Sequence, residues 1–234
     1  MNVYRSNRVE VLAARLVDVV AMPLTDPMAP DVVVVHSRGM ERWLGFRIAD
    51  RLPICAHTEW PTPARFVHDC FDTVLGEGSV DLEGWSHQRL TWAVAAALPA
   101  LLPNPAFESV RAYVGGDAAA LERKPMLLAR EIARAFARYV RYRPEMVCAW
   151  DQNEGDDWQA QLWRAVGARA RAPHLADVAR RFAERMASPD RPAGLPTRVC
   201  LFGLTTLPPI YVDALRALGR YVEVHLFEIG RAHV

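Results

Sequence analysis

Apolar residues follow two rhythms along this chain, and the changes of rhythm divide it into stretches. In the first stretch, residues 1–75, short apolar runs alternate with amphipathic ones. Val3-Tyr4 leads through Arg5-Ser6-Asn7-Arg8 into Val9, Leu12, Leu16, Val19 and Val20, which recur at the three- and four-residue spacing of a helix. This predicts a strand near Val3 and a helix from Val9 to Ala21, closed by Pro23 and the turn-rich Asp26-Pro27-Met28-Ala29-Pro30. Val32 to His36 predicts a second strand, and a second helix follows from about Met40 to Leu52. A short extended piece at Ile54–Thr58 precedes Trp60-Pro61-Thr62-Pro63 and a helix through Phe66, Val67, Cys70 and Val74. Consecutive valines fit strands covered on both faces, so the sheet is expected to be parallel.

From residue 76 to 191 the strand rhythm disappears. Ser86–Leu102, Pro125–Tyr142, Trp158–Ala170 and Leu175–Ala187 all carry apolar residues at helical spacing, as an all-helical subdomain inserted into the sheet domain would. The α/β pattern resumes over 192–227, with a strand at Arg198–Phe202, a helix at Pro209–Leu218 and a last strand at Tyr221–Phe227.

Strand-to-helix junctions matter because helix N-termini at the carboxyl ends of parallel strands offer free N–H groups to phosphate. Two such junctions occur, Arg5–Arg8 and the Ser37-Arg38-Gly39 turn. A P-loop ATPase would place GxxxxGK[ST] at the first. Neither its glycines nor its lysine is there, and Lys124, the single lysine of the chain, lies in Glu122-Arg123-Lys124-Pro125. The strand after the helical stretch would end in Asp-Glu to hold Mg²⁺, yet it ends Phe202-Gly203-Leu204-Thr205. Both nucleotide signatures are lost, which excludes Walker-type ATPase chemistry in this stretch.

At 234 residues with 51% hydrophobic and 24% charged positions, the chain has the balance of a soluble protein with a real core. A formal net charge of +1 exerts no global pull on nucleic acid, so any contact must come from local arginine clusters. Cys55, Cys70, Cys148 and Cys200 lie far apart without metal-ligand spacing and read as reduced core thiols. No apolar leader and no run near the roughly 20 residues of a membrane span is present, so a cytoplasmic protein is expected.

Five ordered motifs carry a resemblance. They are the opening Val3–Arg8, Ser37-x-Gly39-Met40-x-x-Trp43-Leu44, Pro61-x-Pro63-Ala64-x-Phe66, Tyr142-Arg143-Pro144, and Gly203-Leu204-Thr205-Thr206-Leu207-Pro208-Pro209-Ile210-Tyr211. In this order and at this spacing the chain resembles the N-terminal part of the RecC family, the gamma subunits of exodeoxyribonuclease V, the RecBCD helicase-nuclease. The resemblance implies a superfamily 1, P-loop-helicase-like α/β sheet domain that has lost its nucleotide motifs and carries an inserted helical subdomain. It also implies a non-catalytic DNA-binding subunit that forms the single-strand channel and contributes to Chi recognition in double-strand-break repair and recombination. RecB-like and RecD-like subunits and single- and double-stranded DNA ends would be its partners. The subunit would need no cofactor, ATP and Mg²⁺ being used by those partners. Two alternatives stand beside this: an ATP-dependent helicase or nuclease in its own right, against which the missing signatures argue, and a protein-interaction scaffold without DNA contact.

The family's Chi-reading surface corresponds here to His36, Arg38, Arg42, Thr62 and His68, where its best-known members are marked by smaller or amide side chains and a tryptophan. The backbone motif matches and the reading side chains differ. Arg38 and Arg42, one helical turn apart, could grip a phosphate or stack on a base, or simply form a solvated helix end. Arg130, Arg134, Arg138 and Arg141 lie opposite Leu128, Ile132, Phe136, Tyr139 and Val140 on one helix, and Arg143 follows. Such a stripe can track successive phosphates, although any amphipathic helix exposes a charged face. Trp60 is a candidate for base stacking, whereas Trp43, on an apolar helix face, reads as core. His57, His68 and Asp69 have no spacing of a catalytic or metal site.

The last seven residues, Glu228-Ile229-Gly230-Arg231-Ala232-His233-Val234, are also a translation of a common short-read sequencing adapter. Residues 228–234 are therefore expected to be a non-native tail, and the chain an N-terminal fragment of a longer subunit.

Overall fold

The computed structural model describes residues 1–52, 54–81, 83–115, 124–170 and 172–230. They divide into two compact units, Met1–Gly76 with Phe182–Val234, and Glu77–Arg181.

The first unit holds β1 (Asn2–Ser6), α1 (Val9–Val20), β2 (Asp31–Val34), α2 (Arg38–Ala49), β3 (Thr58–Glu59), α3 (Pro63–Leu75), β4 (Arg198–Phe202), α10 (Pro209–Leu218) and β5 (Glu223–Ile229). All five strands are parallel, in the order β1-β5-β4-β2-β3. Buried β4 and β2 carry the apolar runs expected of strands covered on both faces. Leu12, Leu16 and Val19 of α1 pack with Val33, Val35, Cys200, Phe202 and Phe227 in one core cluster.

Two expectations are corrected here. The third extended segment is not Ile54–Thr58: Ile54 is 75% exposed, and the strand is Thr58–Glu59. It is short because Pro61 and Pro63 supply no N–H to a ladder. Single bonds nonetheless extend the pairing, from Asp31 N to His57 O (3.0 Å) and from Val35 N to Pro61 O (3.1 Å). The last strand starts at Glu223, not Tyr221, and runs on to Ile229, so Glu228 and Ile229 pair with Arg5 and Ser6. Residues 231–234 of the expected tail lie outside the described residues.

The second unit contains only helices among its described residues. They are α4 (His87–Leu101), a 3-10 turn (Pro105–Phe107), α5 (Glu108–Val114), α6 (Lys124–Tyr142), α7 (Pro144–Asp151) and α8 (Trp158–Gly167), with most of α9 (Leu175–Ala187). Its core is aromatic: fully buried Trp163 lies 5.2 Å from Phe136, with the rings edge to face. The α5 and α7 helices escape a reading of periodicity because each is too short to repeat its apolar face. Val110 and Val114 alone mark α5, and Val147 and Trp150 mark α7. Pro144 at the first helical position was the local signal for α7.

His225, on β5, is 1% exposed and has its Nδ1 3.3 Å from the Tyr4 hydroxyl, whose ring stacks on it. Burial holds its pKa below the ordinary imidazole value, and the Glu223 carboxylate, pulling the other way, does not outweigh that. A folded-state pKa below the unfolded one means that this stability is present above about pH 6.5 and is lost as pH falls below it. Thermal melts between pH 7.5 and 5.5 are expected to show this loss, and His225→Phe is expected to reduce it. Equal slopes in both proteins would contradict the assignment.

Candidate functional site

The chain's winding reverses between β4 and β2: β3 lies outside β2, and β5 outside β4. In open α/β sheets a ligand usually enters the crevice at such a switch point. Here the protein's own side chains fill it. Gly203, which follows β4 with a φ of +66°, brings the backbone so close that an added Cβ would sit 3.4 Å from Ile229 Cδ1 and 4.0 Å from Met40 Cε. Trp43 of α2 lies 6.4 Å from Phe202, and both Met40 and Trp43 pack against the core cluster. Trp43 is thus half-buried packing, with Arg47 over its ring at 5.5 Å.

The open cleft is one strand further along, where β2 meets α2 and β3 meets α3. Its volume is about 870 Å³. Both helices begin in it. Ser37 caps α2 by accepting from Met40 N at 3.3 Å, and Thr62 caps α3 by accepting from Arg65 N at 3.4 Å. With Pro63 at its first position, α3 offers one N–H fewer than α2. Remaining first-turn N–H groups and the positive helix ends favour an anion there.

Of the residues predicted for a site, His36, Arg38, Arg42, Trp60 and Thr62 all border this cleft. Two junctions more than twenty residues apart in sequence therefore build one surface. Neither Arg38 nor Arg42 has an ion-pair partner among the described residues, and both are exposed. Trp60 is half-buried, anchored on the core cluster. Arg65 and Asp69, on the same face of α3, also border the cleft, paired with each other at 3.5 Å. Their i, i+4 spacing from a Thr-Pro cap was the sequence signal that could have found them. Glu41 and Glu59 add negative charge. The cleft is therefore electrostatically mixed.

His68 stands apart from the others. It is half-buried, 6.0 Å edge-on to Tyr211 and 6.4 Å from Phe71, and does not border the cleft. In the helical unit, Arg130, Arg134, Arg138 and Arg141 are all exposed on α6 opposite buried Ile132, Phe136 and Val140. Arg134 is held by Glu131 of its own helix at 2.8 Å, whereas Arg138 and Arg143 border a second cleft.

His174, 5% exposed, places its Nε2 2.6 Å from Oδ2 of the exposed Asp151, and its other nitrogen is engaged, since His174 Nδ1 accepts from Asp177 N at 3.1 Å. Burial by itself would raise the Asp151 pKa, but its hydrogen bonds with His174 and with Trp163 Nε1, the latter at 2.8 Å, hold it below the usual carboxylate value. Both imidazole nitrogens are committed, so the pair is structural. Burial pushes the Cys70 and Cys200 thiols up to about 12, far from nucleophilic. Among the described residues no group of three or more His, Cys, Asp or Glu could hold a metal ion, and no helix is long and apolar enough to cross a membrane.

Residues 1–230 match the family model described as RecC, N-terminal domain. Similar curated proteins include RecBCD enzyme subunit RecC of Escherichia coli (strain K12), 34% identical over 240 residues that cover 97% of this chain and 21% of that protein. The subunit of the same name from Mycolicibacterium smegmatis (strain ATCC 700084 / mc(2)155) is 31% identical over 236 residues, covering 97% of this chain and 21% of its own length. That of Haemophilus influenzae (strain ATCC 51907 / DSM 11121 / KW20 / Rd) is 27% identical over 256 residues, 96% of this chain and 23% of that protein. The chain thus spans about a fifth of the length of these relatives.

Proposed function

The chain belongs to the RecC family, and from that premise we propose that it is the N-terminal part of a non-catalytic DNA-binding subunit of a RecBCD complex acting in double-strand-break repair and recombination. In this reading it helps form the single-strand channel, and RecB-like and RecD-like partners supply the ATP-dependent chemistry. The setting is the cytoplasm. The observation that carries the DNA contact is the cleft between α2 and α3, with two arginines free of ion pairs, an anchored tryptophan and two helix N-termini on one surface.

The parallel sheet and the crevice filled by Met40 and Trp43 support a helicase-like domain without a nucleotide. The helical unit, 77–181, lies in sequence between the two segments of the sheet unit, as an inserted subdomain would. A contribution to Chi recognition would fall to the same cleft. Because Arg38 and Arg42 present forked donors suited to phosphate and to base edges, the sequence read would be this protein's own.

Photo-crosslinking tests the reading. Single-stranded DNA substituted with 5-iodouracil is bound to the full-length subunit, irradiated, and the adducts are mapped by mass spectrometry. Adducts on peptides spanning 35–44 and 59–69 are expected, with Trp60 and His36 as the reactive rings. Efficient crosslinking that spares both peptides would overturn it.

A further inference from the structure

The outer face of α1 and α2 is not an ordinary solvated surface. A groove of about 510 Å³ runs between the two helices. Its floor is made of small side chains of α1: Ala13 and Val17 are buried and Ala14 is half-buried. Such a floor leaves room for atoms of another chain. Two large apolar side chains flank it in water, Val11 at 45% and Phe46 at 67% exposure. Each stands one helical turn from a groove residue, Val11 from Ala14 and Phe46 from Asp50. Exposed apolar surface rimmed by charge marks a place that a protein covers.

Charge along the groove is ordered. At the amino end of α1, Glu10 borders it with no ion-pair partner among the described residues. At the carboxyl end of α1, Asp18 is shared by Arg15 and Arg51, each at 3.4 Å, so two guanidiniums meet one carboxylate. Between these ends Arg47 is paired with Asp50 at 3.9 Å. The groove is thus negative at one end and positive at the other, roughly two helical turns or about 12 Å apart. A DNA strand, negative throughout, would meet Glu10 with a phosphate. The complementary ligand is a protein helix with a cation at one end, a carboxylate two turns away, and apolar residues between. A seat of two turns falls well short of the roughly 800 Å² per partner of a standard interface. It therefore does not suffice to hold two copies of this chain together, and suits one anchor of a wider contact between unlike subunits.

We infer that the α1–α2 groove docks an amphipathic helix of a partner subunit. A lysine or arginine of that helix pairs with Glu10, its carboxylate meets Arg15 and Arg51, and its apolar face lies over Ala13 and Ala14 between Val11 and Phe46. The inference rests on the proposed function for the existence of partner subunits, and adds where one of them is held. The DNA cleft uses the amino end of α2 and the groove its carboxyl end, so the two are separable by experiment.

The test assembles the full-length subunit with purified RecB-like and RecD-like subunits. With p-benzoylphenylalanine in place of Ala14, irradiation of the complex should join this position to a partner peptide that carries the expected cation. Glu10→Lys should weaken assembly about tenfold or more, through like charges brought together, and reversing the crosslinked cation to glutamate should restore it. Phe46→Ser, at an exposed position, should weaken assembly as well. Both variants should bind single-stranded DNA as wild type does when the subunit is alone. Assembly at wild-type affinity by both variants, or adducts confined to this chain or to a second copy of it, would overturn the inference. If the complex still forms and the Arg38/Arg42 cleft still binds DNA in that case, the proposed function stands without this site. A wild-type subunit that assembles with neither partner would remove the partner reading and this inference together.

Discussion

Asp31→Ala is expected to destabilise the sheet unit by about 3–5 kcal/mol, the cost of leaving one member of a buried ion pair alone. Arg198 opens β4 with its side chain only 5% exposed; its Nη2 donates to Asp31 Oδ1 at 2.6 Å and its Nη1 to Met22 O at 3.1 Å. Its Nε is buried with no hydrogen-bond partner. The guanidinium is thus incompletely satisfied even in the native protein, and loss of Asp31 would leave it with one carbonyl. These contacts tie the loop after α1 to the amino ends of β2 and β4, at the opposite end of the strands from the cleft. A urea-denaturation cycle separates the pair's worth from the penalty of breaking it. The double change Asp31→Leu/Arg198→Met should recover most of the stability, because buried ion pairs often do no better than apolar residues of similar volume. A double variant as unstable as Asp31→Ala would contradict this, as would a single variant within 1 kcal/mol of wild type, about the worth of a surface pair.

Much of the fold was legible because its signals are local. Four of the five strands sit on apolar runs, and the longer helices on unbroken three- and four-residue periodicity. Strand order was not legible. Nothing in Val32–Val34 or Val199–Leu201 says that they are neighbours, since long-range pairing follows from topology and every parallel strand presents the same valine-rich face. β3 was misplaced because proline restrictions, not hydrophobicity, set its limits. The Arg198–Asp31 pair was equally hidden, being 167 residues apart in sequence.

The candidate site was legible in part for the same reason. Each junction could be recognised separately from Ser37-Arg38-Gly39 and Thr62-Pro63, because capping chemistry is encoded within a few residues. That β2 and β3 lie side by side, and so merge the two helix starts into one cleft, is a fact of the sheet. His68 has the same spacing along α3 as a cleft residue would, yet the helix turns it toward Tyr211.

The second large effect concerns Arg38→Ala/Arg42→Ala. Both guanidiniums border the α2–α3 cleft without an ion-pair partner among the described residues, so removing them breaks no ion pair there and should leave stability near wild type. If they hold phosphates, each contributes a charged hydrogen bond of about 1.5 kcal/mol, and their joint removal should weaken single-strand binding on the order of a hundredfold. Arg65 remains paired with Asp69 and does not substitute for them.

The most direct measurement is therefore the salt dependence of single-stranded DNA binding by the full-length subunit, wild type against Arg38→Ala/Arg42→Ala. The account predicts that the double change lowers affinity and flattens the slope of log K against log salt by roughly 1.4, about 0.7 for each of two phosphates. Superimposable lines for the two proteins would contradict it, and would assign this cleft to a protein interface instead of the DNA path.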